Sequence, residues 1–115
     1  EPYHLDQLWE WFFATGEEPP VRRVIGFINL LPTDPQQPGE LPKPPMNAQD
    51  RAAIANFRVA QPAYMSTLSL AIQQDRVFEI VKKAEQDPAV PPRAKAWLKN
   101  AIQIVTAERA KQAKP

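Results

Sequence analysis

Hydrophobic residues recur every three or four positions along the first 31 residues, which is the spacing of one face of an α-helix. Two helices fit, because Thr15-Gly16 interrupts the pattern with a glycine that can take the left-handed conformation at a helix end. The Pro19-Pro20 pair suits the first turn of the second helix, where N–H groups lack partners within the helix. Residues 4–31 are therefore predicted to form a helical hairpin. Its inward positions are predicted to be Leu5, Leu8, Trp9, Phe12, Val21, Val24, Ile25 and Ile28.

Residues 32–46 have no such periodicity, and six of these fifteen residues are proline. We predict a stiff, extended connector with polyproline-like stretches, long enough to run from one end of a helical hairpin to the other. Its Pro42-Lys43-Pro44-Pro45 stretch is superficially similar to a ligand for proline-binding domains. That spacing is common in any proline-rich loop, so a connector is the favoured interpretation.

A helical pattern returns at Asn47, a favourable N-cap with Asp50 three residues on, in the position of a capping box. Asp75 is predicted to cap the next helix, and Pro91-Pro92 to open a last helix that frays after Glu108. The predicted inward positions of the three stretches are Ile54, Phe57, Gln61, Met65, Leu68 and Ile72, then Val77, Ile80, Val81 and Ala84, then Ala94, Trp97, Leu98, Ala101, Ile102 and Val105.

Two residues oppose helix formation inside these stretches. Gly26 costs about 1 kcal/mol relative to alanine in a helix, and we expect it to permit close approach to the bulky aromatic residues of the first helix. Pro62 costs about 3 kcal/mol, which favours a helix break. The apolar positions keep one phase across Pro62, which favours a kinked continuous helix. A break or sharp kink is the preferred prediction.

No segment alternates hydrophobic and polar residues as a β-strand does, so the chain is predicted to be all-α. We expect one domain over residues 1–115, made of the hairpin 4–31, the proline-rich connector 32–46 and a helical part 47–112. About six helical segments are expected to pack as antiparallel hairpins, in a tetratricopeptide-like stack or an irregular bundle.

The first and last helical pairs share a pattern. A shift of 72 residues places Pro19-Pro20 on Pro91-Pro92. The same shift, with one extra residue after the proline pair, aligns the inward positions of the first hairpin with Val77, Ile80, Val81, Ala84, Ala94, Trp97, Leu98 and Ala101. Either the chain repeats a helix pair, as stacked helical proteins do, or two ordinary hairpins match because amphipathic helices resemble one another.

Residues 5–16 read Leu-Asp-Gln-Leu-Trp-Glu-Trp-Phe-Phe-Ala-Thr-Gly, and Val-Arg-Arg-Val-Ile follows at residues 21–25. This resembles the helical hairpins of tetratricopeptide-like proteins, in particular uncharacterised bacterial helical proteins with a Leu-Trp-x-x-Phe-x-Ala-Thr-Gly stretch. The matching positions are Trp9, Phe12 or Phe13, Ala14, Thr15 and Gly16. The chain lacks the period of about 34 residues of a true tetratricopeptide repeat. The resemblance therefore implies helical hairpins and a binding role, and it carries over no catalytic residue.

Composition narrows the classes of function. With 43% hydrophobic and 23% charged residues among 115, the chain is too apolar for disorder throughout. It has no apolar run long enough to span a membrane. The absence of cysteine excludes disulfides, thiol catalysis and Cys-ligated zinc, and it fits a periplasmic, secreted or cytoplasmic location alike. Because the chain starts at Glu1 with no apolar leader, we expect a trimmed or processed form.

The net charge of +1 is unevenly distributed. Residues 1–50 carry eight acids and three bases, net −5, whereas residues 51–115 carry eleven bases and five acids, net +6. The total gives no drive towards nucleic acid, and the C-terminal bases lack interleaved aromatic residues. The asymmetry predicts either two halves that attract each other in the folded chain or self-association through the acidic N-terminal and basic C-terminal halves.

No motif indicates an enzyme. The single histidine, His4, lies near Asp6 and Glu10, but a frayed end or a helix cap is favoured over a metal site. Glu17-Glu18 precedes a proline pair, where the helix N-terminus already favours negative charge. The two serines stand in no nucleophile motif, and there is no glycine-rich phosphate loop. We predict no catalytic residue, no cofactor and no metal ligand.

Three residues are candidates for binding. Trp11 lies off the inward stripe of the first helix and is the best candidate for an exposed aromatic anchor, unless the connector or another helix covers it. Arg22 and Arg23 are adjacent, so at least one must point away from the apolar face. They are predicted either to pair with nearby glutamates or to anchor a ligand.

These features favour a non-enzymatic protein–protein interaction or assembly domain of a bacterial type, with a protein or peptide partner. The alternative is a helical bundle that binds a small molecule or a peptide, with or without hydrolytic activity. That alternative requires a concave pocket with converging polar groups.

Overall fold

Every regular element in the described part of the chain is an α-helix. The computed structural model describes residues 5–36 and 41–114. Its helices are α1 (Leu5–Thr15), α2 (Glu18–Ile28), α3 (Ala48–Gln73), α4 (Asp75–Gln86) and α5 (Pro92–Ala113). The predicted all-α class is confirmed, and within these ranges no helix is both long and apolar enough to cross a lipid bilayer. His4 lies outside the described residues, as do residues 37–40 of the connector.

α2 is the central helix, because it packs against α1, α3, α4 and α5. The predicted inward positions of α1, α2 and α4 are buried, apart from the half-buried Leu5. Within α2 the inward residues are Pro20, Val21, Val24, Ile25 and Ile28, each 3% exposed or less. An 11-residue helix is too short to be stable alone, so this burial is what holds α2 in place.

The turn between α1 and α2 forms as its residues predict. Gly16 has a positive φ of 68°, and its N–H donates to the Phe12 carbonyl at 2.7 Å, which ends α1. Glu17 is the extended N-cap residue of α2, and the proline pair lies in the first turn. The predicted left-handed glycine and proline-led second helix are both observed.

α3 runs without a break through Pro62, so the described residues form five helices where about six were expected. Asn47 and Asp50 form the predicted capping box at its start. Both Pro62 and Arg58 are exposed. The Arg58 carbonyl loses its usual N–H partner to the proline, and a position on the exposed side lessens the cost of that loss. The continuous helix excludes the break and leaves the kink, the other half of the prediction, as a prediction.

The inward face of α3 is not the predicted one. The buried residues are Ala60, Ala63, Tyr64, Thr67 and Ala71. Of the predicted positions, Met65 is 52% exposed and Gln61 is exposed, while the others are half-buried. Three alanines and a threonine allow neighbouring helices to approach closely, and the larger apolar side chains lie on the flanks. The small residues thus define the core side of α3.

The first half of α3 extends beyond the core. None of residues 48–59, which we call the α3 extension, is buried, whereas the five buried residues of the helix all follow them. Twelve helical residues span about 18 Å. This length of helix presents its side chains mainly to solvent.

Cross-helix contacts show the relative directions of the other helices. Asn100 Nδ2 donates to Tyr64 Oη at 2.9 Å, and Arg109 Nε donates to the Ala71 carbonyl at 3.0 Å. These contacts advance together along the chain, so α3 and α5 run in the same direction. Gln74, an extended residue, takes the N-cap place of α4 that was predicted for Asp75. α5 continues to Ala113, beyond its predicted end.

The first residues of the connector are attached to α5. Trp97 Nε1 donates to the Thr33 carbonyl at 2.7 Å, and Arg93 Nη1 donates to the Leu31 carbonyl at 3.3 Å. Residues 32–36 and 41–46 contain bends, a turn and irregular segments and no helix, and the predicted extended, polyproline-like course of the connector stays a prediction. The indole that the connector contacts is therefore Trp97, which also packs edge-on against Tyr64.

The positions matched by the possible repeat lie in the core or against it. Leu5 and Trp97 are half-buried, and all the other matched positions are buried. Two repeated units would show this burial, and so would two unrelated amphipathic hairpins. The burial pattern therefore fits both explanations equally.

Substitutions on α3 test the reassigned inward face. Ala63 is fully buried, so Ala63→Leu should overpack the core and lower the free energy of unfolding by about 1–3 kcal/mol. Met65→Leu on the exposed side should change it by less than about 0.5 kcal/mol. Urea unfolding measures both, and equal costs would contradict the assignment.

Candidate functional site

Trp11 lies on the face of α1 that is turned away from the core. We call this surface the α1 outer face; it consists of Asp6, Gln7, Glu10, Trp11 and Ala14, all of them exposed. Trp11 itself is 38% exposed, which agrees with its expected position off the inward stripe. The face carries two acids and no base, because α1 contains no lysine or arginine. It combines negative charge with an accessible indole.

Phe13 is a second exposed aromatic residue on α1, which the sequence did not single out. It is 54% exposed, and its ring stacks along the buried Trp9 with centroids 6.4 Å apart. Trp9 Nε1 donates to Ser66 Oγ at 2.9 Å, which joins α1 to α3. Phe13 therefore covers an internal contact.

Arg22 joins α2 to the end of α4. Its Nε donates to Glu18 Oε2 at 2.8 Å, and its Nη1 donates to Asp87 Oδ2 at 3.1 Å. Lys83 Nζ donates to the other Glu18 oxygen at 3.2 Å. We call these four residues the Arg22 cluster. The expected pairing of Arg22 with a nearby glutamate is observed, and the two links to α4 show that α2 and α4 run in the same direction.

Both carboxylates of the Arg22 cluster have lowered pKa values. Burial opposes ionisation of Glu18, but the hydrogen bonds and charges of Arg22 and Lys83 outweigh it and lower the pKa. The Asp87 pKa is lowered first by the backbone N–H of Ala89, against a small desolvation effect, and then by Arg22. Both carboxylates are therefore ionised at neutral pH, and their hydrogen bonds with Arg22 and Lys83 link the two helices.

Arg23 follows Arg22 on α2 and is exposed. Successive helical residues point about 100° apart, so the two arginines leave α2 in different directions. A cleft beside Arg22 is lined by residues of α2 and by residues 87, 89–91 and 94, and by none of α1. Trp11 thus belongs to a different surface from this cleft. Binding by the three predicted residues stays a prediction.

The cleft beside Arg22 consists of two adjacent pockets between α2 and the start of α5. One part has a volume of about 170 Å³ and lies against Ile25, Gly26 and Val90. A wider part of about 490 Å³ reaches Asn29, Asp34 and Arg93, and Pro91 lines both parts. Its chemistry is mixed, with an apolar floor and ion pairs near each end.

Gly26 opens this cleft. A Cβ atom placed on Gly26 would meet no heavy atom within 4 Å, and the residue is exposed. The expectation that Gly26 permits close approach to the aromatic residues of α1 is therefore wrong. Gly26 leaves room in the cleft.

A stripe of exposed and half-buried side chains follows the outer side of α3. It consists of Arg51, Ile54, Ala55, Arg58, Pro62 and Met65, and we call it the α3 stripe. Its members are three or four residues apart, so they share one helix face. At its start, Met46 of the connector and the first four members line a shallow cavity of about 290 Å³. The stripe was missed because Ile54 and Met65 were assigned to the core.

The α3 stripe is basic as well as apolar. Residues 51–74 contain two arginines and no acidic residue. Neither Arg51 nor Arg58 forms an ion pair within the described part of the chain. Arg51 Nη1 donates to the Met46 carbonyl at 3.1 Å, which fixes one end of the cavity. Two positive charges thus stand beside apolar surface without an ion-pair partner among the residues that the structure describes.

Comparison with known proteins identifies no protein related to this chain. No protein family, curated protein or solved structure matches the chain. The resemblance to tetratricopeptide-like proteins stays a prediction, and function must be argued from the residues themselves.

Acid should weaken the link between α2 and α4. A carboxylate whose pKa is lowered by folding stabilises the protein above its unfolded pKa, and this contribution disappears as pH falls through the folded pKa. We expect Glu18→Gln to cost about 1 kcal/mol at neutral pH, and this difference from the wild type to vanish in acid. Chemical unfolding across the acid range measures it. Glu79→Gln, outside the cluster, should cost less at neutral pH, and a pH-independent cost of Glu18→Gln would contradict the prediction.

The two glycines should respond in opposite ways to alanine. Gly26→Ala should raise the free energy of unfolding by about 1 kcal/mol, because it improves helix propensity and meets no neighbouring atom. Gly16→Ala should lower it by about 1–2 kcal/mol, because alanine is strained at positive φ. Thermal and urea unfolding compare the pair. Destabilisation by Gly26→Ala would show that the cleft has less room than the structure describes.

Proposed function

We propose that the chain is a non-enzymatic protein–protein interaction domain and that the α3 stripe is its binding surface. The observation that carries this proposal is the α3 extension, a capped stretch of twelve helical residues of which none is fully buried and in which Phe57 packs against the core. Helices in proteins are stabilised mainly by packing of an apolar face, and isolated helices of this length are marginal in water. A partner that covers the stripe would supply the missing packing.

The composition of the stripe supports this role. Interface centres are enriched in methionine and arginine and in apolar side chains that pack between them. Met65 is 52% exposed, and Ile54 is half-buried between Arg51 and Arg58. A protein partner with apolar residues flanked by carboxylates fits this pattern. Arginine pairs with carboxylates through two parallel hydrogen bonds, which adds orientation to the contact.

The helical-hairpin architecture belongs to the same proposal. Helices next to each other in the chain, such as α1 and α2, α3 and α4, and α4 and α5, pack together. α2 runs with α4, and α3 runs with α5, as judged from their ion pairs and hydrogen bonds. Stacked helix-pair proteins have these relations between helices. A tetratricopeptide-like binding role by analogy is consistent with them.

The three residues predicted from sequence contribute unequally to the proposal. Trp11 offers an accessible indole, and exposed tryptophans are frequent anchors in interfaces. Arg22 already donates to Glu18 and Asp87, so a ligand would have to displace one of these carboxylates. Trp11 is therefore the better candidate, and we keep Arg23 as a possible accessory contact on the exposed side of α2.

The cleft beside Arg22 favours a second function, the binding of a small molecule or a peptide. The specific observation is the open space in front of Gly26, where the helix tolerates a glycine that no packing requires. The cleft is apolar near Ile25 and polar near Asp34 and Arg93, as ligand sites usually are. This candidate ranks second because the nearby charged groups pair with one another.

The interaction proposal is tested by affinity capture with matched variants. Immobilised wild type, Ile54→Glu/Met65→Glu and Ile104→Glu are exposed to extract from the source cells, and the retained proteins are quantified by mass spectrometry. Ile104 is also exposed, on α5, so it controls for a new surface charge. We expect the double variant to retain at least one protein about tenfold less than the wild type does. The reason is that two side chains that a partner buries contribute together more than about 1.4 kcal/mol to binding.

Circular dichroism and urea unfolding establish that the three proteins are equally folded. Equal retention of every captured protein by the wild type and both variants would remove the α3 stripe as the binding surface.

A further inference from the structure

We infer that the partner of the α3 stripe is the α1 outer face of a second copy of this chain. The inference rests on the proposed role of the stripe as a binding surface, and it adds the identity of the partner. Both surfaces are helical and exposed, and both belong to the same chain. Each molecule therefore carries both surfaces of the contact, the α1 outer face and the α3 stripe.

Charge complementarity is the first argument. The α1 outer face carries Asp6 and Glu10, and α1 contains no base. The α3 stripe carries Arg51 and Arg58 within a stretch of the chain that contains no acid. None of these four side chains forms an ion pair within the described residues. Opposite charges on two surfaces steer association and select one orientation of the partners.

Apolar complementarity is the second argument. Trp11 lies beside the two acids on α1, and its indole is 38% exposed. The cavity of about 290 Å³ on α3 has Ile54 and Ala55 in its wall and is also lined by both arginines of the stripe. An indole in this cavity would gain apolar contact and lie near a guanidinium group, which favours tryptophan over other aromatic side chains. The acids next to Trp11 would then reach the arginines.

The contact must join two molecules. Within one molecule α1 turns Trp9 towards α3, where its Nε1 reaches Ser66. The α1 outer face lies on the other side of that helix, with Trp11 and Glu10 exposed. It therefore points away from the α3 of its own molecule. The surface charges left over by the intramolecular ion pairs are available to a second copy.

Sedimentation with charge-reversed variants tests this inference. We expect the wild type to exceed the mass of one chain at about 0.05 M salt and to approach that mass at about 0.5 M, because salt screens exposed charges. Asp6→Lys/Glu10→Lys and Arg51→Glu/Arg58→Glu should each be monomeric at low salt. An equimolar mixture of the two variants should associate again, since each supplies the surface that complements the other.

The rescue by mixing separates a real contact from misfolding, because two unfolded variants would not restore a defined assembly. Lys99→Glu on α5, an exposed site outside both surfaces, should leave the mass unchanged. Trp11→Ala should weaken association at least tenfold, as expected for an interface anchor. A monomeric wild type at low salt, or association unaffected by either double variant, would overturn the inference.

The sedimentation result can be distinguished from the result of the affinity capture that tests the proposed function. A monomeric wild type whose α3 stripe still captures another protein would overturn only the second-copy partner. A monomeric wild type that captures nothing through the stripe would overturn both.

Discussion

The burial of one face of α2 among four other helices is the interaction on which the rest of the structure depends. Val21, Val24 and Ile28 are completely buried, and α2 packs against the four other helices of the described chain. α1 and α5 are positioned by the side chains that they pack against α2. The exposure of Trp11 on one side, and of the cleft beside Gly26 on another, both follow from how α2 is enclosed.

Polar contacts fix α2 and its continuation at two points. The Arg22 cluster joins its first turns to α4, and the carbonyls of Leu31 and Thr33 accept hydrogen bonds from α5. Some of these ion pairs link the acidic half of the chain to the basic half, as Glu18 does with Lys83. Attraction between the halves within one chain therefore accounts for part of the charge asymmetry. The acids of the α1 outer face and the arginines of the α3 stripe are among the charges of the described residues that these ion pairs leave unpaired.

α3 shows how one helix can serve both core and surface. Its second half contributes small residues that let α2 and α5 come close, and its first half extends past them. The same helix therefore carries the exposed stripe as a direct continuation of its buried half. Pro62 lies on the exposed side, close to the junction of the two halves. Its ring therefore replaces no side chain of the core.

Local patterns along the sequence were enough to predict the all-α class, the ends of most helices, and the inward faces of α1, α2 and α4, because capping residues, prolines and apolar spacing act within a few residues. They also located Trp11 on an exposed face.

The inward face of α3 could not be predicted in this way, since large apolar residues lie on one side and alanines on another. Which side is buried depends on how closely other helices approach. Pro62 held a clue, because a proline inside a helix leaves the carbonyl four residues earlier without its N–H partner, which favours an exposed position for that face. The Arg22 cluster and the cleft at Gly26 bring together residues that are distant in sequence. The α3 stripe depends on which side of α3 the other helices leave exposed. All three surfaces are created by tertiary packing.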